Sequence, residues 1–184
     1  MGFARAMHDT GLVSAYHAVF LRRVIESRSD LVAAALGLSS TGREVMYCYQ
    51  SLIQSLIENA VFAETAQAIY GLAMLLERGI LYQPPVAPAL WRQIALPLSP
   101  ATEAALAQTF GTAQPASVFL LAGVINTLGQ PLGVGQGNNP TCQSARALSM
   151  WSYSDPDYLL QMVAWAARDD EIVMHFEGQP VSSK

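Results

Sequence analysis

Between Arg43 and Leu81 the apolar residues recur at spacings of three and four. Val45, Tyr49, Leu52, Ile53, Leu56 and Ile57 make one run; Ala66, Ile69, Tyr70, Ala73, Met74 and Leu76 make the next. That is the period of one face of an α-helix. Asn59 or Glu64 marks a break between two helices, and Arg78-Gly79 is a stop signal. The stretch from Thr10 to Leu38 has the same rhythm, with Ser29-Asp30 as a cap for a second short helix and Gly37 as its end. Ser39 to Gly42 reads as the loop into the next N-terminus. A chain that spends its first 82 residues this way has to bury helix faces against other helices. No repeat of 34 or 40 residues runs through it, so a solenoid is not expected.

Gln83 to Pro100 carries five prolines, at 84, 85, 88, 97 and 100. Proline fixes φ and removes a backbone donor, so the segment reads as an extended connector, irregular apart from a turn near Leu90-Trp91-Arg92. It divides the chain into a helical lobe (1–82), a connector (83–100) and a mixed lobe (101–184), either as lobes or within one compact domain. In the second half, Pro100 opens a helix to Phe110. Val118 to Asn126 is a buried helix or a core strand, which periodicity cannot separate in so short a run. Gly129 to Thr141 is a glycine- and asparagine-rich loop. A helix follows from Cys142 to about Tyr153, Ser154-Asp155-Pro156 caps another, and Glu171 to Gly178 alternates like a strand. The expected class is mainly α, α+β, with a small C-terminal β component. Met150, Trp151, Met162 and Trp165 are expected to line the core against the Cys142 helix.

Composition narrows the function. Hydrophobic residues make up 52% and charged residues 13%, the latter about half the usual share. Global disorder is excluded, since it needs the opposite balance. Ten Lys and Arg against 14 Asp and Glu give a net charge of −4, so a nucleic-acid partner, which needs clustered cations, is not expected. The longest apolar run, Ala116 to Leu128, is 13 residues where a span needs roughly 20. The start, MGFARAMHDTG, lacks an apolar core behind Arg5, so a secretory signal is not expected. Two cysteines, Cys48 and Cys142, then read as thiols of a cytoplasmic protein rather than a disulfide framework. The high apolar content implies a full helical core, or an oligomer or partner chain covering part of the surface.

One cluster of residues carries chemistry. Gly135-Gln136-Gly137-Asn138-Asn139-Pro140-Thr141 delivers Cys142 to the first turn of a helix, where unpaired N–H groups and the positive dipole end favour a thiolate. Gln136, six residues upstream, has an amide that can donate to an oxyanion beside the sulfur. His175 follows 33 residues downstream on the strand-like segment. Elsewhere, Cys48 lies inside a helical pattern and is expected to pack in the core. His8 and His17 are expected to face solvent or cap helices. No two histidines or cysteines fall at i, i+3 or i, i+4, so neither a zinc site nor any cofactor is expected. Gly133 to Gly137 lacks the Gly-Lys-Ser/Thr of a phosphate loop.

The Gln-Gly, four residues, then Cys at a helix start resembles papain-like cysteine peptidases. In that superfamily the glutamine helps form the oxyanion hole and a later histidine on a strand is the base. The short distance from Cys142 to His175 is more similar to the transglutaminase-like branch. The resemblance covers residues 135–176 and implies catalytic roles for Cys142, His175 and Gln136. An aromatic residue follows the cysteine in the family, and Gln143 stands there instead. No Asn or Asp follows His175 in this sequence, so the site is a dyad, or Glu177, Asp169 or Asp170 supplies the third group, or the chain is a piece of a longer protein. The implied activity is thiol-dependent hydrolysis or acyl transfer on an amide or thioester of a protein or peptide substrate. The other reading is a non-enzymatic helical interaction module, or one lobe or subunit of a larger assembly.

Overall fold

The computed structural model describes residues 2–135 and 142–184. In chain order the helices are α1 (Gly2–Thr10), α2 (Ala15–Ser27), α3 (Val32–Leu36), α4 (Ser40–Cys48), α5 (Gln50–Ala60), α6 (Ala68–Glu77), α7 (Val86–Ile94), α8 (Pro100–Phe110), α9 (Ala116–Gly129), α10 (Cys142–Ser154) and α11 (Pro156–Asp169). Strands β1 (Val173–Phe176) and β2 (Gln179–Ser182) follow. The protein is mainly helical with a small antiparallel sheet, the class its sequence pattern implies.

Short polar side chains start many of these helices. Ser14, Ser39, Ser99 and Asp155 each accept a hydrogen bond from a first-turn N–H of α2, α4, α8 and α11. Each of those N–H groups lacks an intrahelical partner. Gly37 ends α3 at φ 68°, a left-handed conformation that costs glycine nothing.

The core is built around α6 and α9, the most extensive helix pair. Ala68, Ile69, Leu72, Ala73, Leu75 and Leu76 of α6 are all buried. So are Val118, Phe119, Leu121, Ala122, Val124, Ile125 and Leu128 of α9. The apolar run 118–126 is therefore a helix, surrounded on several sides rather than paired in a sheet. One hydrophobic cluster continues from Met7 to Leu160, drawing on residues before, within and after the proline-rich segment.

That segment is not an extended connector. Val86–Ile94 is helical and buries Val86, Ala89, Leu90 and Gln93. Pro88 is its third residue, and the N–H groups of a first turn have no intrahelical acceptor, so the proline removes nothing. Gln93 donates from Nε2 to the Leu160 carbonyl at 2.7 Å and ties α7 to α11. Two further cross-links fix the N-terminal helices. Arg22 donates to the carbonyls of Glu58 (2.9 Å) and Val61 (3.2 Å) at the end of α5 and lies 4.2 Å from the centre of the Phe62 ring. Glu77 accepts from the Ser39 N–H at 2.7 Å, placing a carboxylate at the N-terminus of α4.

The strand-like segment 171–178 is one arm of a hairpin. Val173 faces Ser182, Met174 faces Val181, His175 faces Pro180 and Phe176 faces Gln179. Glu177 and Gly178 form the two-residue turn at φ 50° and 80°, the positive values such hairpins require. Every residue of both strands is exposed.

Two side chains expected inside, Cys48 and Met150, lie at the surface, and one expected at the surface, His17, lies inside. Cys48 is the last residue of α4 and is exposed. Met150 is 57% exposed, while Met162 is buried and Trp151 and Trp165 are half-buried. His17, expected at the surface, is 1% exposed.

Candidate functional site

Cys142 is the first residue of α10, a helix of 13 residues, and it is exposed. The far end of α10 is firmly held. Ser152, fully buried, donates from its hydroxyl to the Thr127 carbonyl at 2.6 Å. Trp151 meets the Tyr158 ring edge-on at 5.3 Å. Arg78 donates to the Ser152 carbonyl at 3.3 Å and to that of Leu128, joining the C-terminal ends of α10 and α9. Burial pushes the Arg78 guanidinium below its ordinary value, and its contacts are carbonyl dipoles and the Tyr153 ring, 5.7 Å away. A cation suits this position because helix C-termini carry negative partial charge.

His175 lies in β1, exposed, opposite Pro180. Among the described residues no hydrogen bond joins its ring to the Cys142 sulfur. Gln136 lies outside the described residues. Two of the three proposed third groups have other partners. Arg168 holds Asp169 at 2.6 Å, and that hydrogen bond keeps the Asp169 carboxyl below the usual carboxylate range. Asp170 bonds the Ser99 hydroxyl and accepts from Thr102 Oγ1 at 3.3 Å, which locks the start of α8 to the end of α11. Glu177 occupies the hairpin turn. No group of three His, Cys, Asp or Glu side chains among the described residues converges on a metal-sized site. No helix among them is long and apolar enough to cross a membrane.

Two other constellations escaped the sequence reading. His8 and His17, from α1 and α2, both reach the C-terminal carbonyls of α3. His17 Nε2 lies 2.8 Å from the Ala35 oxygen and His8 Nε2 lies 3.0 Å from that of Leu36. His17 also stacks on Phe3 at 5.4 Å. Burial pushes the His17 imidazole below its ordinary value, against the raising effect of the Ala35 bond. Near the end of α4, the Cys48 sulfur is 3.8 Å from the Tyr82 hydroxyl, whose titration that contact raises. The run Met46-Tyr47-Cys48-Tyr49 was the only sequence sign of this thiol–phenol pair.

A further surface feature concerns α2. Its inner side buries His17, Ala18, Leu21 and Val24. Its outer side exposes Tyr16 by 76%, Val19 by 60% and Phe20 by 41%, with Phe3 of α1 set 5.9 Å from the Phe20 ring. No family model matches the chain, and no curated protein or solved structure matches it either.

Proposed function

We propose that this chain is a helical interaction module that docks another protein on the outer face of α2. The observation that carries this reading is the stripe Tyr16, Val19 and Phe20, at i, i+3 and i+4 on the solvent side of a helix whose opposite side is already buried. A surface helix ordinarily carries its apolar residues on one side only. Adjacent exposed aromatics are the side chains from which protein interfaces draw most of their energy. A photo-crosslinking residue placed at Tyr16 should trap a discrete protein partner in cells. Val19→Glu should abolish the adduct, and the same group at Ser51 of α5 should give none. Equal, diffuse adducts from both positions would end the reading.

The thiol chemistry implied by residues 135–176 is a second proposal, supported by one observation: Cys142 is exposed at the opening of α10. In it Cys142 attacks an amide or thioester carbonyl, His175 takes and returns the proton, and Gln136 donates to the oxyanion. A thioester probe should acylate Cys142, with the rate falling sharply in His175→Ala. Acylation indifferent to that change would remove the base from the mechanism.

A further inference from the structure

The two edges of the hairpin are not equivalent. The Ser183 N–H donates to the Ile172 carbonyl at 2.9 Å, so residues 172 and 183 form a hydrogen-bonded pair. Antiparallel pairs alternate between bonded and non-bonded. The register then makes Met174–Val181 and Phe176–Gln179 bonded pairs, and Val173–Ser182 and His175–Pro180 non-bonded ones. In a non-bonded pair the N–H and C=O of each residue point away from the partner strand. The outer edge of β1 therefore presents the N–H and C=O groups of Val173 and His175. On the outer edge of β2 the matching positions are Pro180 and Ser182, and Pro180 has no N–H to give. Proline at such a site blocks strand addition.

A two-stranded hairpin with both faces wet is marginal on its own, and this one is amphipathic. Met174, Phe176 and Val181 share one face, exposed by 43%, 69% and 54%. Val173, His175, Pro180 and Ser182 share the other.

We infer that the β1 edge pairs antiparallel with the β1 edge of a second copy of this chain, giving a four-stranded sheet in the order β2–β1–β1–β2 about a two-fold axis. The occupant is a second copy because the sheet has one open edge per chain and closes when two such edges meet, the self-complementary form of a two-fold interface. Proline on both outer strands stops growth there. In the register with the longest overlap, Val173 faces His175 of the second copy and Met174 sits on the axis beside its counterpart. Phe176 then lies opposite Ile172 of the second copy, so the apolar faces of both hairpins join. On the other face His175 lies diagonal to Glu171 of the second copy, within reach of a side-chain interaction. That pairing offsets the approach of Glu171 to Glu177 of the second copy at the ends of the sheet.

The test uses the full chain and measures mass in solution by sedimentation across a concentration series. The wild-type chain should pass from monomer to dimer and go no further. His175→Pro removes an outward N–H and no bond within the hairpin. By symmetry the dimer loses two donors, so its Kd should rise roughly tenfold or more. Pro180→Ala restores a donor on the outer strand and should produce species larger than a dimer. In a Cys48→Ser, Cys142→Ser background, Met174→Cys should form an intermolecular disulfide on mild oxidation, since Cα atoms in a directly opposed non-bonded pair are about 4.5 Å apart. Val181→Cys should not. A wild-type chain that stays monomeric throughout the series overturns the inference. So does a dimer that tolerates His175→Pro and fails to cross-link through Met174→Cys, because it then forms elsewhere, as on the outer face of α2.

Discussion

Gly129 near the end of α9 packs directly on the backbone of Gly71 in α6. A Cβ on Gly129 would lie 2.7 Å from the Gly71 carbonyl carbon and 2.8 Å from its Cα, and one on Gly71 would lie 2.7 Å from the Asn126 Cα. No side-chain rotation relieves a clash with backbone, so these two glycines set how closely the central helices approach.

Gly129→Ala should therefore lower stability even though alanine is the better helix former. Over-packing costs about 1–3 kcal/mol, against a propensity gain near 1 kcal/mol. Gly123 lies in the same helix, exposed, with nothing within 4 Å of an added Cβ. Gly123→Ala should raise stability by about 0.5–1 kcal/mol. Thermal melts of the two variants should move in opposite directions from wild type; a shared direction would mean that the α6–α9 spacing yields.

The imidazole of His17 gives the protein an acid-sensitive element. Its proton affinity is lowered in the folded state from the ordinary 6.5, so the unfolded chain binds more protons below that pH. Stability is then full above about pH 6.5 and falls as pH drops toward the depressed folded value. His17→Gln keeps a donor for the Ala35 carbonyl without a titrating ring. It should melt lower than wild type at pH 7.5 yet lose less between pH 7.5 and 5.5. Parallel losses in the two proteins would assign the acid sensitivity to other groups.

The N-cap Ser99 is itself held by Asp170, and α8 buries none of its residues. The contact adds to the packing of α8 on α9, where Phe110 stacks on Phe119 at 5.2 Å. Asp170 sits at φ 55°, where asparagine is better tolerated than alanine. Asp170→Ala should cost about 1–2 kcal/mol and Asp170→Asn less than half of that. Hydrogen exchange in residues 100–110 should accelerate in the alanine variant first. Unchanged exchange there would show that α8 is anchored by its packing on α9 instead.

Helices were legible in the sequence wherever a cap or stop coincided with a change of periodicity: Gly37, Arg78-Gly79, Pro100 and Asp155-Pro156 all mark real ends. Ser39 to Gly42, by contrast, expected as a loop, is the N-cap and first turn of α4, because the Ser39 hydroxyl accepts from the Gly42 N–H. The element misread was α7, because proline density suggests irregular backbone whereas Pro88 in a first turn is harmless. The strand β2 was hidden by Pro180, which a central strand excludes and an outward edge position accepts. The long-range pairs were beyond reach for another reason. His17 with Ala35, Arg78 with Leu128 and Ser99 with Asp170 depend on how helices cross, which local pattern does not encode. At the candidate site the helix start at Cys142 and the strand at His175 were both readable, but their mutual placement was not.

Within α10 the two sides should separate cleanly. Leu148 is half-buried against the core and Gln143 is exposed. Leu148→Ala should destabilise by roughly 2 kcal/mol, the low end for core leucines because burial is partial. Gln143→Ala should cost about 0.5 kcal/mol or less. Chemical denaturation midpoints would read the difference, and coincident midpoints would put Leu148 outside the core.

Exposure alone cannot distinguish the two thiols, since Cys48 and Cys142 are both at the surface. Their settings differ in sign. Cys142 opens α10 at its positive dipole end, whereas Cys48 closes α4 at the negative end beside the Tyr82 hydroxyl. A helix terminus contributes about 0.3–1 kcal/mol, so at mildly acidic pH iodoacetamide should modify Cys142 about two- to fivefold faster than Cys48. A histidine acting as base would add far more than this, and the addition would vanish in His175→Ala. A ratio in the low range that survives His175→Ala is the expected result for an interaction module. A ratio of 100 or more that collapses in the variant would make the nucleophile reading the stronger one, with peptide mapping of the labelled chain deciding which sulfur carries the adduct.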